Sequence, residues 1–175
     1  HIGLRSFPGG RYNHPPSLLL SRSLKKLGLK PGRLKTGTPM RLHARRINFS
    51  KCEEQRPDTP PRPLSHFTAA ITRKLLSCWI TRTSDRTAAV ITSGLRHSPL
   101  YSGKISSLGP RYCPSIEDKI VKFPHHGSHH IFLEPEGFDT EEYYVNGLST
   151  SLPEATQTEI IASVPGLEKA ELMRA

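Results

Sequence analysis

Cysteine, long apolar runs and apolar residues in general are scarce in this sequence, and each shortage excludes a class of protein. The three cysteines Cys52, Cys78 and Cys113 form no C-x-x-C pair. Neither a zinc ribbon nor a disulfide framework is therefore indicated, and a reducing compartment fits better. No apolar run approaches the roughly 18 residues that cross a membrane, so no membrane association is expected, and no signal peptide is visible.

The apolar fraction is only 35%, which is low for a self-contained domain of 175 residues. The sequence starts at His1 without an initiator methionine, and it stops at Ala175 without a terminal signal. We therefore expect an internal piece of a longer protein.

Basic residues and turn-forming residues are abundant instead. Lysine and arginine outnumber aspartate and glutamate by 25 to 15, which gives a net charge of +10. Strong basicity suggests a polyanionic partner, most commonly nucleic acid, although an excerpt need not carry the charge balance of its parent. The 16 prolines and 13 glycines predict many turns and few long regular elements.

Periodicity and capping residues predict short helices and strands in alternation. Three helices are predicted. The first begins at Ser17 and stops at Gly28, the second runs from Ser84 to Leu95, and the third runs from Pro153 to Val164. The predicted strands are a short one within Lys30–Arg41, then Cys78–Thr83, Ile120–Phe123, His130–Leu133, Tyr143–Val145 and Ala170–Met173. The proline-rich stretch Ser50–Thr68 is predicted to be an extended surface connector. Together these elements indicate an α/β fold with an irregular insertion in its middle.

The segment Gly32–Pro39, reading GRLKTGTP, contains two glycines, two basic side chains and two hydroxyls. Such a loop could wrap a phosphate or a carboxylate, although it lacks the P-loop pattern. A purely structural turn explains the same residues.

The six-residue segment His125–His130 contains four histidines and invites comparison with a metal site, because His125/His129 and His126/His130 lie four residues apart. Pro124 and Gly127 disfavour the helix that would align them, and no cysteine completes a ligand set. A solvated turn between two strands is favoured, and no metal site is predicted.

Two carboxylates, Glu134 and Glu136, flank a proline in the segment FLEPEG. On an extended chain they would face the same side. They could orient a basic or hydroxyl-bearing ligand, or they could form a polar turn.

Cys113 lies between Arg111 and a helix-start signal, Pro114 followed by Ser115-x-x-Asp118. A helix N-terminus and a guanidinium both lower the pKa of a thiol and raise its thiolate fraction. The spacing therefore makes Cys113 a candidate nucleophile, and a quiet structural cysteine is the alternative.

Several segments resemble, in order, the MnmG (GidA) family. They are GGR at Gly9–Arg11, PPS at Pro15–Ser17, GRLKTGTP at Gly32–Pro39, GPRYCPSIEDK at Gly109–Lys119, FLEPEG at Phe132–Gly137 and NGLSTSLP at Asn146–Pro153. The run RYCPSIEDK followed by FLEPEG and STSLP is highly specific, and the motifs span almost the whole chain.

The resemblance implies a fragment of a Rossmann-type FAD/NAD-binding domain with an inserted mixed α+β lobe. Residues 1–45 would be part of the FAD-binding domain, and residues 46–119 the inserted lobe with an NAD-binding segment at its end. Residues 120–175 would return to the FAD-binding domain. FAD and NADH are the implied cofactors, with methylene-tetrahydrofolate as the one-carbon donor.

The implied activity is tRNA modification. Together with the GTPase MnmE, family members add an aminomethyl or carboxymethylaminomethyl group to C5 of the wobble uridine 34. The expected partners are tRNA and MnmE, with a homodimer inside a heterotetramer. The expected location is the bacterial cytoplasm, or the mitochondrion if the source is eukaryotic. Two alternatives stay open: a folate- and FAD-dependent tRNA uridine methyltransferase similar to TrmFO, and a non-catalytic basic RNA-binding module.

By the same resemblance, Ser17 matches a position that contacts FAD, and Cys113 matches a functionally important cysteine. The stretch matched to the NAD-binding segment comprises Gly109, Pro110, Arg111, Tyr112, Cys113, Pro114, Ser115, Ile116, Glu117, Asp118, Lys119, Ile120, Val121, Lys122 and Phe123.

Parts of the family pattern are missing from this sequence. The G-x-G-x-x-G loop that should cradle the FAD pyrophosphate does not occur, nor does the helical C-terminal part used for MnmE and tRNA. Leu64–Ser77 matches no family motif. We therefore expect only part of the flavin site here, and no activity of this piece alone.

Overall fold

The structure is a computed structural model that describes residues 1–10 and 12–175, so Arg11 of the GGR motif lies outside the described residues. The helices are α1 (Leu18–Lys26), α2 (Asp85–Gly94), α3 (Ile116–Lys122) and α4 (Glu154–Ala162). The strands are β1 (Arg41–His43), β2 (Glu53–Gln55), β3 (Cys78–Arg82), β4 (His130–Pro135), β5 (Glu142–Asn146) and β6 (Glu171–Arg174). Short 3₁₀ turns occur at Ala44–Arg46, Phe49–Lys51 and Leu95–His97.

All six strands belong to one sheet with the order β2-β3-β4-β5-β1-β6. Every neighbouring pair in this order is antiparallel. The prediction of a mixed α/β fold is confirmed. Strands from residues 1–45, 46–119 and 120–175 join this single sheet, and the proposed division into domains stays a prediction.

The two faces of the sheet differ sharply in polarity, because successive side chains along a strand point to opposite sides. Leu42, Ile131, Leu133 and Val145 are fully buried on one face. Helices α2 and α4 cover that face with residues such as Ile91, Ile160 and Ile161 in the same apolar cluster. Burying one such side chain contributes roughly 1.5–3 kcal/mol, so this face anchors the fold.

Most of the predicted elements are present. Helices α1, α2 and α4 and strands β3, β4, β5 and β6 occupy the predicted segments within a few residues. The short strand predicted within Lys30–Arg41 is wrong in extent: only isolated pairings occur at Leu34 and Thr38, and β1 begins at Arg41.

Two other predictions are wrong. Ile120–Phe123 is not a strand, because the helix that starts after Ser115 continues through Lys122. Its apolar residues Ile116 and Ile120 are four apart, so they share one helical face. The predicted connector Ser50–Thr68 contains strand β2. Its three residues are all exposed and give no alternating pattern, so their pairing with β3 at the sheet edge left no signal in the sequence.

Helix α1 forms where its leucine spacing predicts it, yet none of its residues is buried. Leu20 is 62% exposed, and Leu27 just beyond the helix is 77% exposed. Gly28 follows with a φ of +82°, which permits the chain to turn away at the helix end. Among the described residues, no helix is both long enough and apolar enough to cross a membrane.

Helix α2 is fixed at its start by a reciprocal cap. The Ser84 hydroxyl accepts a hydrogen bond from the Thr87 amide at 3.3 Å, and Thr87 Oγ1 accepts one from the Ser84 amide at 3.1 Å. Ser84 Oγ also donates to the Ser163 carbonyl at 3.0 Å. The cap therefore joins the start of α2 to the end of α4.

Replacing Ser84 with alanine should lower the free energy of unfolding by roughly 0.5–2 kcal/mol, the usual cost of a lost N-cap. Urea titration followed by circular dichroism measures the change. Thr158→Ala is the matched control, because it also removes one hydroxyl, which bonds only the Glu154 carbonyl within α4. A control loss as large as that of Ser84→Ala would contradict the special role of the cap.

Candidate functional site

Three sequence motifs that are far apart in the chain meet in space. They are Gly32–Pro39, Gly109–Lys119 and Asn146–Pro153, and we call their meeting point the motif junction. Lys35 at its rim donates its amide to the Leu108 carbonyl at 2.9 Å, directly before the second segment. The fold thus gathers these segments into one place.

The closest contact in the motif junction joins its first and third segments. The amide of Thr38 donates to the Thr150 carbonyl at 3.2 Å, and the Thr150 amide donates back to the Thr38 carbonyl at 3.1 Å. A Cβ atom on Gly37 would lie 2.7 Å from both the carbonyl carbon of Ser149 and the Thr150 nitrogen. Only glycine permits this approach of two backbones, so Gly37 has a structural role.

The second segment is attached to the third through the start of α3. The Ile116 amide donates to the Ser149 carbonyl at 2.7 Å. The next side chain, Glu117, is fully buried and accepts hydrogen bonds from the Thr150 hydroxyl at 2.9 Å and the Ser151 amide at 3.3 Å. The STSLP segment therefore contacts both of the other motifs.

Cys113 lies just before α3, as predicted. Ser115 caps this helix by accepting a hydrogen bond from the Asp118 amide at 3.2 Å, which confirms the predicted Ser-x-x-Asp cap. The Cys113 amide makes a turn contact with the Pro110 carbonyl at 3.5 Å, and its side chain is exposed. The Arg111 guanidinium lies 5.2 Å from the centre of the Tyr112 ring.

The predicted NAD-binding stretch, Gly109–Phe123, contains both buried and exposed side chains. The side chains of Ser115, Ile116 and Glu117 are buried in the chain. Tyr112 is 86% exposed, and Phe123 is also exposed. A ligand over this stretch would therefore meet the turn before the helix and the outer face of α3.

Lys119 is a half-buried cation beside this turn. Its Nζ atom donates to the Gly147 carbonyl at 3.2 Å, directly after β5. Burial lowers the pKa of Lys119, and the negative charge of an ionised Cys113 would act in the opposite direction. Burial likewise lowers the pKa of His129, and the positive charges of Lys119 and His126 reinforce that shift. Lys119 is therefore a cation whose deprotonation is favoured by burial, and it lies within electrostatic range of Cys113.

A cleft of about 270 Å³ lies on the polar side of the sheet and is lined by Arg41, Glu134, Pro135, Glu136 and Tyr144. Arg41 Nε donates to Glu136 Oε1 at 2.6 Å, and its guanidinium lies 4.3 Å from the centre of the Tyr144 ring. Burial raises the pKa of Tyr144, and an ionised Cys113 adds to that shift. The cleft residue Tyr144 therefore lies within electrostatic range of Cys113.

Glu134 and Glu136 face the same cleft, as an extended chain predicts, but their partners differ. Glu134 Oε1 accepts a hydrogen bond from Nδ2 of the Asn146 side chain at 2.8 Å, whereas Glu136 is paired with Arg41. Sequence reasoning missed Arg41 and Tyr144. Arg41 is 95 residues from Glu136, and the only signal was its place at the end of the GTPMR run.

The remaining predicted site residues lie elsewhere. Ser17 directly precedes α1, is exposed, and makes no capping hydrogen bond with its side chain. The segment His125–Ser128 is exposed and contains no helix, as predicted, but it joins helix α3 to strand β4 and not two strands. In the part of the chain that the structure describes, no group of three or more His, Cys, Asp or Glu residues could hold a metal ion.

Comparison with known proteins gives a consistent result. The family model for glucose inhibited division protein A matches residues 1–175. The tRNA uridine 5-carboxymethylaminomethyl modification enzyme MnmG of Thermodesulfovibrio yellowstonii is 56% identical over 174 residues, which is 99% of this chain and 28% of that protein. The MnmG of Syntrophotalea carbinolica is 53% identical over 174 residues, with the same two coverages.

Solved structures agree with the sequence comparison. The structure of Aquifex aeolicus GidA in its form I crystal is 48% identical to this chain with a TM-score of 0.85, and the match covers 99% of this chain and 30% of that one. The form II crystal gives a TM-score of 0.83 at 44% identity, over 99% of this chain and 28% of that one. The chain thus spans less than a third of the length of these relatives.

Replacing Gly37 with alanine should destabilise the protein by roughly 1–3 kcal/mol, because the new methyl group would overlap the backbone of Ser149 and Thr150. Gly32→Ala is the matched control, since a Cβ there meets nothing within 4 Å. Urea denaturation midpoints of both variants test this. Equal midpoints would show that the close approach at Gly37 does not constrain the fold.

Proposed function

Because this chain belongs to the glucose inhibited division protein A (GidA, or MnmG) family, we propose that it is part of a flavin-dependent enzyme that modifies the wobble uridine of transfer RNA. The observation that carries the proposal is the motif junction. It fixes the turn of the exposed Cys113, which lies within electrostatic range of Lys119 and of Tyr144 in the cleft. The names of the relatives state a tRNA uridine 5-carboxymethylaminomethyl modification.

In this proposal the whole enzyme adds an aminomethyl or carboxymethylaminomethyl group to C5 of uridine 34. NADH is the reductant, methylene-tetrahydrofolate is the one-carbon donor, and the GTPase MnmE is the partner. The enzyme is a homodimer within a heterotetramer in the bacterial cytoplasm, and the bacterial sources of the relatives support that location. The net charge of +10 is compatible with a tRNA substrate.

The residues at the start of α1 fit one part of a bound FAD. Ser17 offers an exposed hydroxyl that is not used for capping, and the first turn of α1 contains no acidic residue. The helix dipole and the amide groups of this turn favour an anionic group such as a phosphate. Ser17 would therefore hold a polar portion of FAD, which when bound supplies hydride and one-carbon transfer chemistry.

The stretch Gly109–Phe123 would provide part of the NADH site. Its exposed members Arg111 and Tyr112 are placed for ligand contact, a guanidinium for phosphate and a ring for stacking. The buried members instead fix the turn to the motif junction.

Cys113 would activate the uracil ring, whose C5 is a weak nucleophile. In one route the Cys113 thiolate forms a bond to C6, and the electrons of the C5–C6 double bond move to C5 and O4. After C5 has reacted, loss of its proton and of the thiolate restores the double bond. In the other route the thiol transfers a proton at C5 without a covalent bond. Lys119 lies close enough to respond to the charge of Cys113.

Replacing Cys113 with serine in the full-length protein that carries this chain should reduce wobble-uridine modification at least about 10²-fold, because a serine hydroxyl is a far weaker acid and nucleophile. Mass spectrometry of nucleosides from treated tRNA measures the product. Cys52→Ser is the control, since Cys52 packs against the core beside Asn48 and Gly166. Unchanged modification by the Cys113 variant would remove the thiol from the mechanism.

The full-length protein should also purify yellow, or become yellow after loading with FAD, because the proposed chemistry needs the flavin. Visible absorbance of the purified protein is sufficient. A colourless protein that binds RNA and cannot be loaded with FAD would instead favour the basic RNA-binding module.

A further inference from the structure

The buried carboxylate of Glu117 joins the segments of the motif junction. We propose that Glu117 is a positioning residue, whose one hydrogen-bonded oxygen fixes the turn that carries Cys113 against the segment Ser149–Pro153. The role of Cys113 in this inference rests on the proposed function, whereas the positional role of Glu117 can be measured without it.

One oxygen atom of the Glu117 carboxylate, Oε1, accepts all of its side-chain hydrogen bonds. Oε1 accepts from the Thr150 hydroxyl at 2.9 Å, from the Ser151 amide at 3.3 Å and from the Ser98 hydroxyl at 3.4 Å. Oε2 is buried and has no hydrogen-bond partner among the described residues. The three donors are two hydroxyls and a backbone amide, so the contacts are those of a structural link and not of an ion pair.

Glu117 lies next to the turn that carries Cys113 and contacts the segments that hold this turn in place. Glu117 lies in the first turn of α3, next to Ile116, whose amide bonds the Ser149 carbonyl at 2.7 Å. Thr150, which donates to Glu117, also exchanges two backbone hydrogen bonds with Thr38. Glu117 Oε1 therefore links the start of α3, just after Cys113, to both other segments of the motif junction.

Direct contact between Glu117 and a substrate is excluded by its burial, since its side chain has no exposed surface in this chain. Burial raises the pKa of the Glu117 carboxyl, and the bonds from Thr150 and Ser151 act in the opposite direction. A protonated carboxyl keeps Oε1 as an acceptor, so the link does not need the negative charge.

Other ionisable groups surround this carboxyl. Tyr101, from the loop after α2, has its pKa raised to about 12 by burial together with the charges of Asp118 and Glu117. Asp118, on the same helix as Glu117, is paired with Lys122 and also feels the charge of Lys35. The groups that bond Glu117 directly are all neutral.

Two substitutions separate a positional role from a charge-dependent one. Glu117→Gln keeps the acceptor oxygen and removes the charge. It should retain modification activity within about threefold, as well as native amide protection, because a neutral acceptor is sufficient. Glu117→Leu removes the acceptor and leaves three donors unpaired. Its kcat should fall about 10²-fold at unchanged KM for tRNA, the scale expected for a misplaced catalytic group.

Hydrogen exchange by mass spectrometry of the full-length protein provides a readout that does not depend on activity. In Glu117→Leu, the amides of Ile116, Thr38 and Thr150 should exchange at least tenfold faster, since a tenfold change reflects a modest local opening. Amides in the β4–β5 pair should stay unchanged. If Glu117→Leu fails to fold, Thr150→Val removes the strongest donor to Glu117 and should give the same local pattern.

The pH dependence gives a third readout. Because the folded-state pKa of Glu117 is raised, its favourable contribution is full below the ordinary glutamate pKa and is lost as pH rises through the folded value. The urea midpoint of the wild type relative to Glu117→Gln should therefore fall from acidic to neutral pH. Glu159→Gln, an exposed change in α4, should show no such trend.

Three results would overturn the inference. Loss of activity in Glu117→Gln with native amide protection would mean that the charge of Glu117 takes part directly. Native protection in both Glu117→Leu and Thr150→Val would mean that the link fixes nothing. A urea midpoint difference independent of pH would show that the buried carboxyl titrates as an exposed one does. If Cys113→Ser proved active while the exchange pattern held, the proposed role of Cys113 would fail and the positional role of Glu117 would stand.

Discussion

The mutual backbone hydrogen bonds between Thr38 and Thr150 are the constraint on which the site depends. They bring two segments 112 residues apart in sequence into contact, and Gly37 allows that approach because it has no Cβ. Once Thr150 is fixed, its hydroxyl has one buried acceptor, Glu117, and that contact sets the start of α3. The exposed turn with Cys113 is positioned by this series of contacts, so an exposed cysteine on a loop is held by the core.

The sheet explains why such a turn can be both exposed and ordered. Its apolar face packs under α2 and α4, and the residues of that face are fully buried. Its other face carries Arg41, Glu134 and Tyr144, which have polar partners instead of apolar ones. The antiparallel pairing places the ends of β1, β4 and β5 side by side, and the cleft lies there. The apolar core and the polar cleft thus lie on opposite sides of one sheet.

Short sequence patterns predicted the helix caps well. They failed where a feature depends on contacts between residues far apart in the chain. The cap at Ser84 and the cap at Ser115 could be read from residues three positions apart. The strand expected at Ile120–Phe123 was wrong because β-branched residues on a short helix face resemble a strand pattern. The contact of Glu117 with Thr150 spans 33 residues and that of Arg41 with Glu136 spans 95, and no local pattern encodes either. Family resemblance identified the motifs, and only the coordinates showed which of them touch.

Burial distinguishes the motif junction, which internal contacts hold in place, from helix α1, which has no buried residue. The three segments of the motif junction are joined by backbone hydrogen bonds within the chain, and one oxygen of Glu117 and the Ser151 hydroxyl are its buried side-chain atoms without a hydrogen-bond partner among the described residues. Helix α1, which carries the predicted flavin contact at its start, has no buried residue, although its leucines are spaced as a packing face. The chain spans less than a third of the length of these relatives. The Cys113 turn is fixed by contacts within the chain, whereas Ser17 directly precedes a helix that has no buried residue.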